Sequence, residues 1–275
     1  MTKTYEVRPG QSVELLKELH ILTRDGKMNQ DSRRKLKQVY HLFQFIEPLL
    51  QQALQENPDV HLVDHGAGKS YLGFILYDLF FKDHARSGHV WGIETREELV
   101  QRSRDLAQRL GFSGMSFLNL SVADSITSTA LPERIDVVTA LHACDTATDD
   151  AIRFALNKEA RFIVLVPCCQ AEVAAMLRKN KGRMLCSPLT ELWRHPIHTR
   201  EFGSHLTNVL RCLQLEAHGY QVNVTELVGW EHSMKNELII ATRKNQPNLR
   251  SAARLAEILE TTGLEELSDR FFVRQ

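Results

Sequence analysis

An α/β architecture built on a parallel sheet is what this sequence predicts, and three observations carry the prediction. From residue 60 onward, short apolar runs rich in valine and isoleucine alternate with longer segments of helical period. Runs such as "RFIVLVP" are apolar at consecutive positions, as strands covered on both faces are. The residues capable of chemistry fall just after the runs, where an open α/β sheet binds its ligand.

Taken in order, the elements begin with "SRRKLKQVYHLFQFIEPLLQQALQ" from Ser32 to Gln55, which places Leu36, Val39, Tyr40, Phe43, Ile46 and Leu50 at helical spacing before Pro58. Residues 1–57 are therefore read as an N-terminal helical extension. The period then changes. "VHLVD" at 60–64 is a strand, "KSYLGFILYDLFFK" a helix, "GHVWGIE" at 88–94 a strand, and "REELVQRSRDLAQRLG" a helix closed by glycine. Strands follow at 115–120, 135–141 and 161–167, with a helix from Asp145 to about Lys158 before the last. Beyond an irregular basic stretch, "FGSHLTNVLRCLQLEAHG" is helical, and 220–229 with 237–243 form an antiparallel hairpin on the sheet edge. Residues 58–244 thus form one domain, and 245–275 form one or two amphipathic helices.

The chain has 275 residues, 43% hydrophobic and 25% charged, an ordinary composition for a soluble globule of one large or two small domains. With 34 basic and 34 acidic residues, no global field draws it to nucleic acid or to an anionic membrane. Attraction must be local. Arg24 to Lys37 holds six basic and two acidic residues, and Arg178 to His205 holds six basic, two acidic and three histidines. Neither a basic-then-apolar leader nor a membrane-length apolar run is found, so a cytoplasmic location is expected. Five cysteines, an odd number with two adjacent, are read as reduced thiols, and their spacing matches no zinc ribbon or iron–sulfur run.

"VDHGAGKS" at 63–70 ends like a nucleotide-phosphate loop, but Val63 stands where that loop needs its first glycine, so magnesium-nucleotide binding is not expected. The dinucleotide fingerprint fails too, because its third glycine falls on Tyr71. What remains is a strand-end acid, Asp64, followed by two glycines that admit a ligand close to the backbone. Glu94 ends the second strand, where a carboxylate accepts both hydroxyls of a ribose. Asp124 follows the third strand, "LHACD" (Leu141 to Asp145) the fourth, and "PCCQ" (Pro167 to Gln170) the fifth.

The series D-x-G-x-G-K-S, a strand-end Glu, L-H-A-C-D-T-A-T-D and V-P-C-C-Q resembles an S-adenosylmethionine-dependent methyltransferase family. That family includes the methyltransferase domain of the glutathione S-transferase C-terminal-domain-containing protein and several methyltransferase-like proteins. The resemblance covers roughly Lys35 to Arg243. It implies a Rossmann-like seven-stranded methyltransferase sheet in the order 3-2-1-4-5-7-6. It also implies S-adenosyl-L-methionine as cofactor, held by Asp64, Gly66, Ala67, Gly68, Lys69, Glu94, Asp124, Leu141 and His142. Gly66 and Gly68 would pass close to its methionine part, Glu94 would hold the ribose, and Asp124 would meet the adenine amino group. Lys69 would then be no phosphate lysine.

The acceptor pocket is expected between the loops after the fourth and fifth strands, with His142, Asp145, Cys168, Cys169 and Gln170 in it. No [DN]-P-P-[YF] motif is present, so nitrogen methylation is not implied. His142 and Asp145 are an available base and its orienting carboxylate. Their plainer roles are a structural histidine and a helix N-cap. Cys168 or Cys169 could add to a pyrimidine ring as a thiolate, although small apolar packing is the commoner use of cysteine. A zinc cluster of His142, Cys144, Cys168 and Cys169 would need adjacent ligands, so no metal is expected. His195 and His198 line a polar loop or are simply exposed. RNA is the expected acceptor, contacted through Arg33, Arg34, Lys35 and Lys37. The rivals are methylation of a protein or metabolite, a non-catalytic cofactor-binding module and, more distantly, a nicotinamide-dependent oxidoreductase.

Overall fold

The computed structural model describes residues 6–84, 88–141, 143, 145–167, 170–180, 188–227 and 237–272. Two helices precede the sheet. In α1 (Val13–Glu18) the Ser12 hydroxyl accepts the Leu15 N–H, and in α2 (Gln30–Glu56) the Asn29 side chain accepts the Ser32 N–H, so both helices start at a polar cap. The stripe Leu36, Val39, Tyr40, Phe43, Ile46 and Leu50 of α2 is buried, as its spacing requires.

Strand β1 (His61–His65) leads through a glycine turn into α3 (Tyr71–Leu76), a π-wound turn (Tyr77–Phe81) and α4 (Lys82–His84). Next come β2 (His89–Glu94) and α5 (Glu97–Leu110), which ends at Gly111 with φ 68°. Strand β3 (Met115–Asn119) precedes α6 (Val122–Thr127), a helix too short to show a period in the sequence, and β4 (Val137–Leu141) precedes α7 (Thr146–Asn157). Strand β5 (Phe162–Val166) is followed by α8 (Glu172–Lys179), a 3-10 turn (Pro188–Trp193) and α9 (Pro196–Ala217). Helix α9 begins six residues earlier than the sequence suggests, because Pro196 occupies the first helical turn, where its missing N–H is no loss. Strands β6 (Tyr220–Glu226) and β7 (Glu237–Arg243) make the hairpin, and α10 (Leu249–Thr261), a 3-10 turn (Glu265–Leu267) and α11 (Ser268–Phe271) end the chain.

The seven strands form one sheet in the order β3-β2-β1-β4-β5-β7-β6. Pairings among β1 to β5 are parallel, whereas β7 runs antiparallel to both β5 and β6. This is the order that the resemblance implied. The chain winds outward from β1 to β3, then returns to β4, so the switch point lies between β1 and β4.

Consecutive strand residues point to opposite faces, and both faces are covered. Leu62, Val137, Phe162 and Val164 face α2, α3 and α5, while Val63, Val138, Ile163 and Leu165 face α7 and the end of α9. A third core joins Val173 and Leu177 of α8, Leu206 and Leu210 of α9, and Leu255 and Phe271 near the C terminus. The last helices thereby fix α8 and α9, to which Asn180 adds a hydrogen bond from its side-chain amide to the Gly263 carbonyl. No helix among the described residues is long and apolar enough to cross a membrane.

Candidate active site

The turn after β1 is shaped by two glycines. Gly66 and Gly68 have φ of 65° and 57°, a left-handed backbone that residues with a Cβ rarely adopt. Two hydrogen bonds tie this turn to the end of β2: the Ala67 N–H donates to the Ile93 carbonyl (2.9 Å), and the Gly68 N–H to Glu94 Oε2 (2.8 Å). An amide that a phosphate loop would turn toward its ligand is here committed to a carboxylate. Lys69 is exposed.

Asp64 lies beneath the turn. Its buried carboxyl accepts from Thr139 Oγ1 (2.9 Å) on β4 and from the Gly73 N–H (3.3 Å) in the first turn of α3. It joins β1, β4 and the start of α3 from inside, at the switch point. Burial pushes its pKa up to about 7, against the lowering effect of the Thr139 and Gly73 hydrogen bonds. In the unfolded chain it ionises near 3.8. Between those values the folded state holds the extra proton, so stability falls as pH rises, and above about 7 the contribution is flat. Asp64→Asn has no such proton to lose. Urea unfolding at about pH 5 and about pH 8 should show a smaller loss of stability for the variant than for the wild type, and equal losses would refute this account.

Glu94 is the most heavily bonded group at the strand ends. Besides the Gly68 N–H it accepts the N–H groups of Thr95 and Arg96, both at 3.0 Å, and the Arg96 guanidinium through Nε (3.0 Å) and Nη2 (3.2 Å). Burial alone would raise its carboxyl, but the Arg96 and Gly68 hydrogen bonds outweigh it and hold the group below the usual range. The three backbone donors are fixed by the fold. The Arg96 side chain, by contrast, is 59% exposed.

A cleft of about 490 Å³ opens at this point, lined among others by His65, Gly66, Glu94, Leu120, Val122 and Asp150. Its size suits a nucleoside-sized ligand. Asp150 reaches it from α7, and burial raises its carboxyl in spite of Arg270 and Arg153. Asp124 is placed differently. It is exposed in the first turn of α6, accepts from the Ser121 hydroxyl, and is not among the residues lining the cleft. Leu141 closes a small apolar gap with Val39, Tyr71 and Ile75.

The loops after β4 and β5 are bound to one another. Asp145 has φ 50° and ψ −118°, a strained backbone for a residue with a side chain. It is over-determined by its partners. Its Oδ1 accepts the N–H groups of Ala171 (3.0 Å) and Glu172 (3.3 Å), and its carbonyl accepts Arg211 Nη2 (2.8 Å). The Asp145 side chain makes no hydrogen bond to the helix it precedes, and caps instead α8, beyond the fifth strand. Gln170 is buried, donating to Asn208 Oδ1 (3.2 Å) and accepting from the Ser204 hydroxyl (2.7 Å). His142, Cys144, Cys168 and Cys169 lie outside the described residues. His195 and His198 are exposed around the start of α9, their rings 5.4 Å apart.

Arg211, which the sequence alone does not single out, organises this region. Its guanidinium is fully buried on α9 and grips Asp149 with two bonds, Nε to Oδ1 (2.7 Å) and Nη2 to Oδ2 (2.9 Å), while Nη1 donates to Asn208 (3.2 Å). One arginine thus links α7, α9 and the loop after β4, and reaches Gln170 after β5 through Asn208. The trace it leaves in the sequence is a cation on a buried helical stripe, with Thr207 and Gln214 on the same face.

A model described as a methyltransferase domain matches residues 34–176, more than half of the chain. The glutathione S-transferase C-terminal domain-containing protein of Mus musculus is 26% identical over 235 residues, covering 79% of this chain and 34% of the mouse protein. Its Bos taurus counterpart is 24% identical over 242 residues, with the same two shares. The chain therefore spans about a third of the length of the curated relatives it matches. Among solved structures, magnesium protoporphyrin IX methyltransferase from Synechocystis PCC 6803 with bound SAH is 15% identical, covers 85% of this chain and 96% of its own, and gives a TM-score of 0.44.

Proposed function

The chain belongs to the methyltransferase-domain family, whose methyl donor is S-adenosyl-L-methionine, and from that premise we propose that it methylates RNA, with the donor held in the strand-end cleft. The observation that carries the cofactor placement is that Gly66 of the glycine turn and the Glu94 carboxylate line one cleft, beyond the carboxyl ends of β1 and β2. The groups present fit the cofactor: a carboxylate acceptor for a diol, a backbone free of a Cβ atom at Gly66, and apolar walls at Leu120 and Val122.

When bound, the cofactor supplies a methyl group on a cationic sulfur, open to in-line attack by an acceptor atom. The chain contributes position. Asp145 and Gln170 spend their side-chain hydrogen bonds on the protein, so their role is to fix the walls between which the acceptor enters. Cys212, on α9, has its thiol pushed up to about 12, first by burial, and is inert packing.

RNA is favoured by the placement of the first basic segment. The N-terminal half of α2 packs through Leu36, Val39 and Tyr40 on Tyr71 and Ile75, directly after the glycine turn, while Arg33, Arg34 and Lys37 are exposed. Lys35 is partly engaged, with Asp31 at 2.8 Å and the His20 carbonyl at 2.9 Å. Filter binding of single-stranded RNA tests this face by replacing Arg33, Arg34, Lys35 and Lys37 together with alanine. The slope of log affinity against log salt should become shallower by about 0.7 for every phosphate that the variant no longer neutralises. An unchanged slope would take RNA off this face.

A further inference from the structure

His65 stands between Asp64 and the first glycine of the turn, and it has no part in the hydrogen bonds that Asp64 and Glu94 make. It is 4% exposed, it lines the cleft beside Glu94, and neither ring nitrogen has a hydrogen-bond partner. Buried polar groups without partners are rare and call for an explanation. The ring packs on Phe154, centroids 5.2 Å apart at 37°, which fixes its plane. Burial depresses its pKa to about 4, opposed by the charge of Glu94, so at neutral pH the imidazole is uncharged and offers one donor and one acceptor.

We propose that His65 is a cofactor-binding residue, with one ring nitrogen hydrogen-bonded to the adenosyl part of the cofactor in this cleft. The inference rests on the cofactor placement given above. Glu94 can only accept, so a ribose hydroxyl that donates to it keeps lone pairs free for an N–H from a neighbouring group. His65, at the end of the adjoining strand, lines the same cleft and has a ring N–H that no protein group takes up. The same pairing would give the imidazole the hydrogen-bond partner that the protein does not supply.

The test is a titration of the full chain, labelled with ¹⁵N-histidine, with S-adenosyl-L-homocysteine, followed by ring-nitrogen NMR and in parallel by calorimetry. One His65 ring signal should move as the calorimetric signal saturates. His65→Phe, with its fold verified by circular dichroism, should bind the ligand roughly tenfold more weakly. Saturable binding with unmoved His65 signals would overturn the inference and leave the cofactor placement standing, as would equal affinity in the Phe variant. Absence of binding to the wild-type chain would overturn both. Because the ring signals are read on the wild type, the test survives a variant that fails to fold.

Discussion

Glu94→Ala is expected to weaken binding of S-adenosyl-L-methionine on the order of a hundredfold by calorimetry while leaving the fold intact. A carboxylate accepting two ribose hydroxyls makes charge-assisted hydrogen bonds of about 1.5–3 kcal/mol each, and a loss of roughly 3 kcal/mol corresponds to that factor. The substitution also releases the Gly68 N–H that Glu94 Oε2 now accepts, so the glycine turn loses a tie to β2. The contrast is Arg96→Ala. Its guanidinium occupies Glu94 from an exposed position and competes with any ribose there. Removing it should leave affinity unchanged or higher, because an exposed ion pair contributes little. Loss of affinity in Arg96→Ala with none in Glu94→Ala would invert the assignment.

The second large effect is structural. Arg211→Ala should lower stability by about 3–5 kcal/mol, because it leaves the Asp149 carboxylate buried without its cation. For a chain of this size that is a fall in Tm of about 5–9 degrees. Arg211→Lys should recover little, since an ammonium cannot reproduce the paired grip on both Asp149 oxygens. The double variant Arg211→Met, Asp149→Leu should regain much of the stability, because a buried ion pair is replaceable by apolar packing. It should still lose turnover. The Asp145 carbonyl would be without its partner, and the strained loop after β4 without one of its restraints. Thermal unfolding by calorimetry decides the first part. Full turnover in the double variant would separate Arg211 from the acceptor loops.

The strands and the glycine turn were legible because their signals are local. The 60–64 run became His61–His65, and 237–243 became Glu237–Arg243, since apolar alternation over a few residues suffices to mark a strand. Helix α6 was missed because six residues show no period, and the start of α9 because an exposed run of Pro196, Ile197 and His198 hides a helix. The motif puts Glu94 and the glycine turn at the ends of neighbouring strands, but the hydrogen bond between them is visible only in the fold. The setting of Asp145 was not legible either, because it caps a helix beyond the next strand and is held by an arginine on α9. Its partners are tertiary. Asp124 illustrates the same limit: its place after β3 was right, but the turn of α6 carries its carboxyl onto Ser121, while Asp150 of α7 reaches the cleft.

Methyl transfer from this cleft is tested directly by one measurement. Wild type and Glu94→Ala are each incubated with methyl-labelled S-adenosyl-L-methionine and cell extract, which is then separated into RNA, protein and small-molecule fractions. The prediction is label in the RNA fraction, removed by ribonuclease and strongly reduced in the variant. Label confined to protein or to small molecules would reassign the acceptor. No incorporation above the variant in any fraction would contradict the central claim.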